Sequence, residues 1–333
     1  MAGKGIVIVA FLYLASCLLV QTHGQNASTS GLRIGFYNLT CPLAESLVQQ
    51  TVAQFFKDDQ TVPAALLRMF FHDCFVLGCD ASITIVSNST NDAEKDAGPN
   101  LTVRGFDLIN TAKTSVENAC RGVVSCADII ALATRDAVVL AKGPHWDVPT
   151  GRRDGTISLL ANAENLPDPS DTSQQGIAAF AAKGLSQHDF VTLLGAHTVG
   201  ISHCRFFDDR LYDFQGSGKP DPTMNPNLVK SLRKTCPDPS KPIFKNPGVF
   251  LDQGTPFIFD NNYYKELLSR NGILRIDQQV GADKSLSGTV KKFASSSSNF
   301  NASFVASMIN LGNVGVKTGS EGEIRLSCSV VNS

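Results

Sequence analysis

Residues 68–82 read Arg68-Met-Phe-Phe-His72-Asp73-Cys74-Phe-Val76-Leu-Gly78-Cys79-Asp80-Ala-Ser82. The first half continues a helical pattern predicted over Pro63–Phe75, with Thr61 as N-cap and Pro63 in the first turn. Arg68 and His72 are four apart, so both project from one helix face, with Phe71 between them. Polar groups on a half-apolar face are costly unless paired or used. Two readings are open: a surface pair with Phe70 and Phe71 turned inward, or a general acid–base histidine beside a fixed cation. The second half places Asp73, Asp80 and Ser82 in a loop that a Cys74–Cys79 disulfide would close, and Gly78 permits a tight backbone. Hard oxygen ligands in a constrained loop suit calcium. A solvated acidic loop is the plainer alternative.

Outward from this stretch, 3.6-residue periodicity predicts further helices over Leu43–Phe56, Gly105–Cys120, Ser125–Lys142, Thr172–Lys183 and Ser186–His197. Asn227–Lys234, Asn261–Ser269, Leu286–Ser295 and Phe300–Leu311 complete the set. Alternating strand patterns are scarce, so an all-α fold with minor β is expected. Val76–Pro99, Gly143–Pro169 and Gln215–Thr255 read as loop-rich, and loops this long are usually functional or tied down. His197 ends its predicted helix, where a lone histidine also serves as a charge on the helix dipole. Thr198 follows it. Asp252, Thr255 and Asp260 form a second oxygen-rich segment around Pro256. Asp277 is flanked by apolar residues, where a carboxylate would orient a metal-bound histidine.

The 333 residues carry a formal net charge of −1, which gives no basic field for nucleic acid. Lys4 precedes an apolar run from Ile6 to Val20, the length of a signal-peptide core and short for a membrane span. Residues 1–24 are expected to be removed, leaving a mature chain from Gln25 with no membrane segment. Eight cysteines then remain of the nine, an even number that argues for four disulfides in a secreted chain. Spacing alone leaves their pairing open. Glycosylation sequons at Asn26, Asn38, Asn88, Asn100 and Asn301 agree with a secretory route.

Taken together and in order, four stretches resemble the secreted (class III) haem peroxidases of plants. These are Arg68–Ser82, Gly122-Val-Val-Ser-Cys-Ala-Asp128, Gly195-Ala-His197-Thr-Val-Gly200 and Thr255-Pro-Phe-Ile-Phe-Asp-Asn261-Asn-Tyr-Tyr264. The resemblance runs from about Leu32 to Cys328. It implies two lobes with haem between them, a distal lobe of about residues 31–165 plus the C-terminal segment, and a proximal lobe of about 166–310.

By that resemblance, one haem b per chain is held by His197, with Asp277 accepting the other ring proton and Phe71 against the haem. His72 and Arg68 would cleave the O–O bond of hydrogen peroxide. Asn100 would hold His72, and Glu94 would be the acid supporting Asn100. Two calcium ions are implied, one on Asp73, Val76, Gly78, Asp80 and Ser82, the other on Thr198, Asp252, Thr255, Ile258 and Asp260. Implied disulfides are Cys41–Cys120, Cys74–Cys79, Cys126–Cys328 and Cys204–Cys236, and Asp128 and Arg152 resemble a buried ion pair. Pro167, more than Pro169, matches the segment where aromatic donors bind. The implied enzyme is a monomer oxidising small phenolic donors in one-electron steps. Its expected roles are lignin and suberin formation, wall cross-linking, peroxide removal and stress response.

Three positions depart from the family pattern. Phe70 replaces a frequent histidine, Ile276 replaces a frequent serine, and Gly98 offers no aromatic contact near the haem edge. The short tail after Cys328 lacks the long extension associated with vacuolar sorting, which favours cell wall or apoplast. The competing reading is a non-catalytic, secreted, calcium-binding, disulfide-rich helical protein. Retention of Arg68, His72, Asn100, His197 and Asp277 together argues against it.

Overall fold

The computed structural model describes residues 31–164, 166–241 and 245–333. The expected leader 1–24 and the sequon at Asn26 lie outside them. Thirteen α-helices occur among the described residues. Four build the N-terminal half: α1 (Ala44–Asp58), α2 (Val62–Val76), α3 (Phe106–Ala119) and α4 (Cys126–Leu140). A single turn, α5 (Leu160–Ala163), follows. Then come α6 (Ser173–Ala182), α7 (Gln187–Leu194), α8 (Asp208–Tyr212), α9 (Pro226–Thr235), α10 (Asn262–Leu268), α11 (Arg275–Ala282), α12 (Ser287–Ser295) and α13 (Ser297–Leu311). The β content is one antiparallel pair, β1 (Ile201–His203) against β2 (Gly248–Phe250), with Ser202 opposite Val249.

Helix α4 is buried on every side from Cys126 to Val138, as a helix at the centre of a bundle must be. It packs on α1 and α2, and α3 packs on α1. In the other group α13 lies on α7, and α10 contacts both α11 and α12. An aromatic cluster of Phe259, Tyr264, Phe293, Phe300 and Phe304 fills that second group. Local chemistry starts several of the helices. The Ser125 hydroxyl accepts the Asp128 N–H on α4, and Thr172 with Gln175 and Ser186 with Asp189 form capping boxes on α6 and α7. Disulfides join Cys41 to Cys120, Cys74 to Cys79, Cys126 to Cys328 and Cys204 to Cys236.

Several expectations change in detail. Thr61 stands at the N-cap of α2, but its hydroxyl donates to Asp59 Oδ1 at 2.5 Å and caps nothing. The helix predicted to His197 ends as an α-helix at Leu194 and tightens into a 3₁₀ turn, Gly195–Thr198. There a Cβ on Gly195 would sit 2.3 Å from Tyr264 Oη, so the turn carries glycine because the second core closes on it. Helices α5, α8 and α11 were not expected. All three are short, and α11 begins after Leu274, which is no cap residue.

Candidate active site

Helix α2 delivers Arg68 and His72 to one place. Arg68 Nε donates to His72 Nε2 at 3.2 Å, and its two other nitrogens donate to Thr102 Oγ1 and to the Pro99 carbonyl, both at 2.8 Å. The guanidinium is thereby fixed by three bonds on two chain segments. His72 Nδ1 donates to Asn100 Oδ1 at 2.6 Å, and Asn100 Nδ2 donates to the backbone carbonyl of Glu94 at 2.7 Å. Support of Asn100 therefore comes from the main chain of residue 94, not from its carboxyl. That carboxyl turns to the Ser82 hydroxyl at 3.2 Å. Burial, and next the Arg68 charge, push the His72 imidazole down to about 3. At neutral pH it is uncharged, with its Nε2 lone pair aimed at the guanidinium.

Asn100 and Thr102 are the two polar residues of one sequon, and both are spent in this network. Asn100 is 1% exposed. A glycopeptide map of the active protein is expected to show residue 100 unmodified; an occupied Asn100 would refute the buried His72–Asn100 pair.

The 3₁₀ turn after α7 carries His197, and α2 packs against that turn. His197 Nδ1 donates to Asp277 Oδ1 at 2.8 Å, across 80 residues of sequence. The Asp277 side chain is 2% exposed, whereas that of His197 is 29% exposed. Among the described residues, His197 Nε2 meets no hydrogen-bond partner. An imidazole with one nitrogen fixed on a carboxylate and the other free is the donor set of a metal ligand. The Phe71 ring, 4.7 Å from Phe75 and 5.8 Å from Phe180 between centroids, adds an apolar wall beside His72. These residues fit an iron porphyrin.

Asp277 is placed by α11. Its Oδ2 accepts the Leu274 N–H at 3.4 Å, closing the start of that helix. Behind it, buried Arg210 pairs with Asp221 at 2.8 Å and donates to the carbonyls of Gly272, Ile273 and Leu274. Neither Arg210 nor Tyr263, which also reaches Asp277, was singled out from sequence. Pro167 is half-buried, and the Pro169 carbonyl accepts the Ile276 N–H at 3.1 Å, which sets this segment beside α11.

Both oxygen-rich loops close on themselves. In the first, Asp73 Oδ2 accepts the Ala81 N–H, and Asp80 Oδ1 accepts the Ser82 N–H. Asp73 Oδ1 and Glu94 Oε1 are buried without a partner, the deficit that a cation would fill. Burial, and then the Asp80 charge, push the Asp73 carboxyl well up. Gly78 holds φ +113°, and a Cβ there would meet the Gly315 carbonyl at 2.3 Å, so the loop cannot take a side chain at this point. Two lysines already reach the rim: Lys317 pairs with Asp80 Oδ2, and Lys183 donates to the Val76 carbonyl at 2.8 Å. In the second loop, the Thr198 hydroxyl lies 3.1 Å from Asp252 Oδ2 and 3.3 Å from Asp260 Oδ1, and Thr255 Oγ1 lies 3.2 Å from the same Asp252 oxygen. Ile258 completes the turn by donating to the Thr255 carbonyl. Asn262, given no role in the sequence reading, also donates to Asp252, at 2.7 Å.

A family profile described as "Peroxidase" matches residues 48–296. Peroxidase 57 of Arabidopsis thaliana is 48% identical over 301 residues, covering 90% of this chain and 93% of that protein. Peroxidase 71 of the same plant is 44% identical, covering 98% of each chain. Peroxidase N1 of Nicotiana tabacum is 45% identical, covering 91% of each.

Proposed function

The chain belongs to the plant haem peroxidase family, and on that premise we propose how its residues divide the work. It is an oxidoreductase that consumes hydrogen peroxide at the expense of an electron donor. The family implies haem, which when bound stores the oxidising equivalents of peroxide and releases them one electron at a time. The non-catalytic reading is left without support.

The observation that carries the assignment is the contrast between the two histidine pairs. His72 gives its Nδ1 proton to a neutral amide oxygen, and His197 gives its own to a carboxylate. A neutral acceptor fixes the tautomer and leaves His72 an uncharged base. Its Nε2 takes a proton from one peroxide oxygen and delivers it to the other, which departs as water. Arg68 stabilises the negative charge that grows on the departing oxygen. A carboxylate acceptor instead makes the His197 imidazole more electron-rich, as suits the residue that would hold the haem iron. Phe71, packed on Phe75 and Phe180, would lie against the haem on the His72 side and screen it from the donor.

One haem b and two calcium ions per chain accompany this reading, with calcium on the two oxygen loops named above. The partnerless Asp73 oxygen supports the first ion, and the convergence of Thr198, Asp252, Thr255 and Asp260 supports the second. Since Asp73 adjoins His72 and Thr198 adjoins His197, each ion braces one histidine. The two helix groups are the distal and proximal lobes. Small phenols approach near Pro167. The mature protein is a secreted monomer of the cell wall or apoplast, a reading supported by its four disulfides and its sequons.

The test is the visible spectrum of the purified secreted protein before and after one equivalent of hydrogen peroxide, with metal analysis. A Soret band that changes with peroxide and recovers on adding guaiacol is expected, with one iron and two calcium per chain. A protein with no Soret band after refolding with hemin and calcium would overturn the residue assignment.

A further inference from the structure

The proximal carboxylate serves two donors through one oxygen. Asp277 Oδ1 lies 2.8 Å from His197 Nδ1 and 2.9 Å from the Tyr263 hydroxyl. Its Oδ2 receives only the long Leu274 bond. Tyr263 is 2% exposed, and its ring stands edge-on to His197, with centroids 6.1 Å apart at 82°. It sits at the start of α10, which packs against both the His197 turn and α11. Three elements thus converge on one carboxylate oxygen. A buried phenol is protonated at neutral pH, so Tyr263 donates and Asp277 accepts. Two donors on one oxygen share its negative charge, and each proton is pulled less than it would be alone.

We propose that Tyr263 is a positioning residue that sets how strongly Asp277 pulls on the His197 ring proton, and through it the electron donation of His197 to iron. The proposal rests on the ligand assignment above. With the hydroxyl present, Asp277 polarises the imidazole less, the iron is less electron-rich, and its ferrous form is easier to reach. The second hydrogen bond is therefore a brake on the first. The neighbouring Tyr264 is the internal comparison. It is equally buried, but its hydroxyl donates to the carbonyls of Val191 and Thr192, not to Asp277.

The experiment compares Tyr263→Phe with Tyr264→Phe in the haem-loaded protein. Each change removes one hydroxyl and keeps the ring, so packing is retained. The readouts are the iron–imidazole stretching band of the ferrous protein by resonance Raman and the ferric/ferrous midpoint potential by spectroelectrochemistry. Tyr263→Phe is expected to move the band to higher frequency and the potential to more negative values. Tyr264→Phe is expected to move neither. An unmoved band and potential in Tyr263→Phe would overturn the proposal. So would equal shifts in both variants, which would mean general loosening of the proximal core. Absence of the iron–imidazole band from the unsubstituted protein would instead remove the ligand assignment, and the proposal with it.

Discussion

His72→Ala is expected to leave haem bound and to slow the reaction with hydrogen peroxide by roughly 10²–10⁴-fold, the span of a lost general acid–base group. At about 1.4 kcal/mol per decade, that raises the barrier by about 3–5 kcal/mol. The loss is specific because the rest of the network survives the substitution. Arg68 keeps its bonds to Thr102 and the Pro99 carbonyl, so the cation stays in place. Asn100 keeps its bond to the Glu94 carbonyl. What disappears is the one neutral imidazole able to carry a proton between the two peroxide oxygens. Stopped-flow absorbance at the Soret band measures the second-order rate constant directly. A rate within a few-fold of the unsubstituted enzyme would remove His72 from this role, whatever the steady-state activity.

How far the sequence led can be judged from particular residues. Helices with a sustained apolar face, such as α1 to α4, were legible to within about two residues at each end. Helix α11 was not, because it is eight residues long and starts after a leucine whose only help is the Asp277 side chain. Yet that helix carries Asp277, the carboxylate that holds His197. The Arg68–His72 pair was readable, since four residues of helix bring both to one face. The His197–Asp277 and His72–Asn100 pairs were not, because 80 and 28 residues separate them and no periodicity links their elements. Those pairs, like the three long-range disulfides, came from family resemblance, although the sequence itself marks Asp277 as a carboxylate able to orient a histidine and Cys74–Cys79 as a loop closure. Resemblance named residue 94 as the support of Asn100, and the contact runs through its backbone carbonyl. Tyr263 carried a faint signal: two adjacent tyrosines, if buried, must each find a partner for the hydroxyl.

Asp128→Ala is expected to be the most damaging substitution away from the two histidines, destabilising the protein by about 3–5 kcal/mol, because it leaves a buried charge unpaired. Asp128 is fully buried at the start of α4 and accepts from Arg152 Nη1 at 2.8 Å, the Tyr37 hydroxyl at 2.6 Å and the Gly151 N–H at 2.7 Å. Arg152 in turn donates through Nε and Nη2 to the Gly312 carbonyl, at 3.0 and 2.7 Å, where α13 ends. The pair thus ties the central helix of the first group to the end of the last helix of the second. Removing the carboxylate strands the guanidinium where water does not reach. The charge, not the contact, dominates the cost, so Asp128→Leu combined with Arg152→Met is expected to recover much of the stability lost by Asp128→Ala. Guanidinium unfolding with the disulfides intact, followed through Trp146, the chain's one tryptophan and a buried one, measures all three proteins. If the double substitution unfolds as early as Asp128→Ala, the ion pair acts through its geometry at the Gly312 carbonyl rather than through charge compensation.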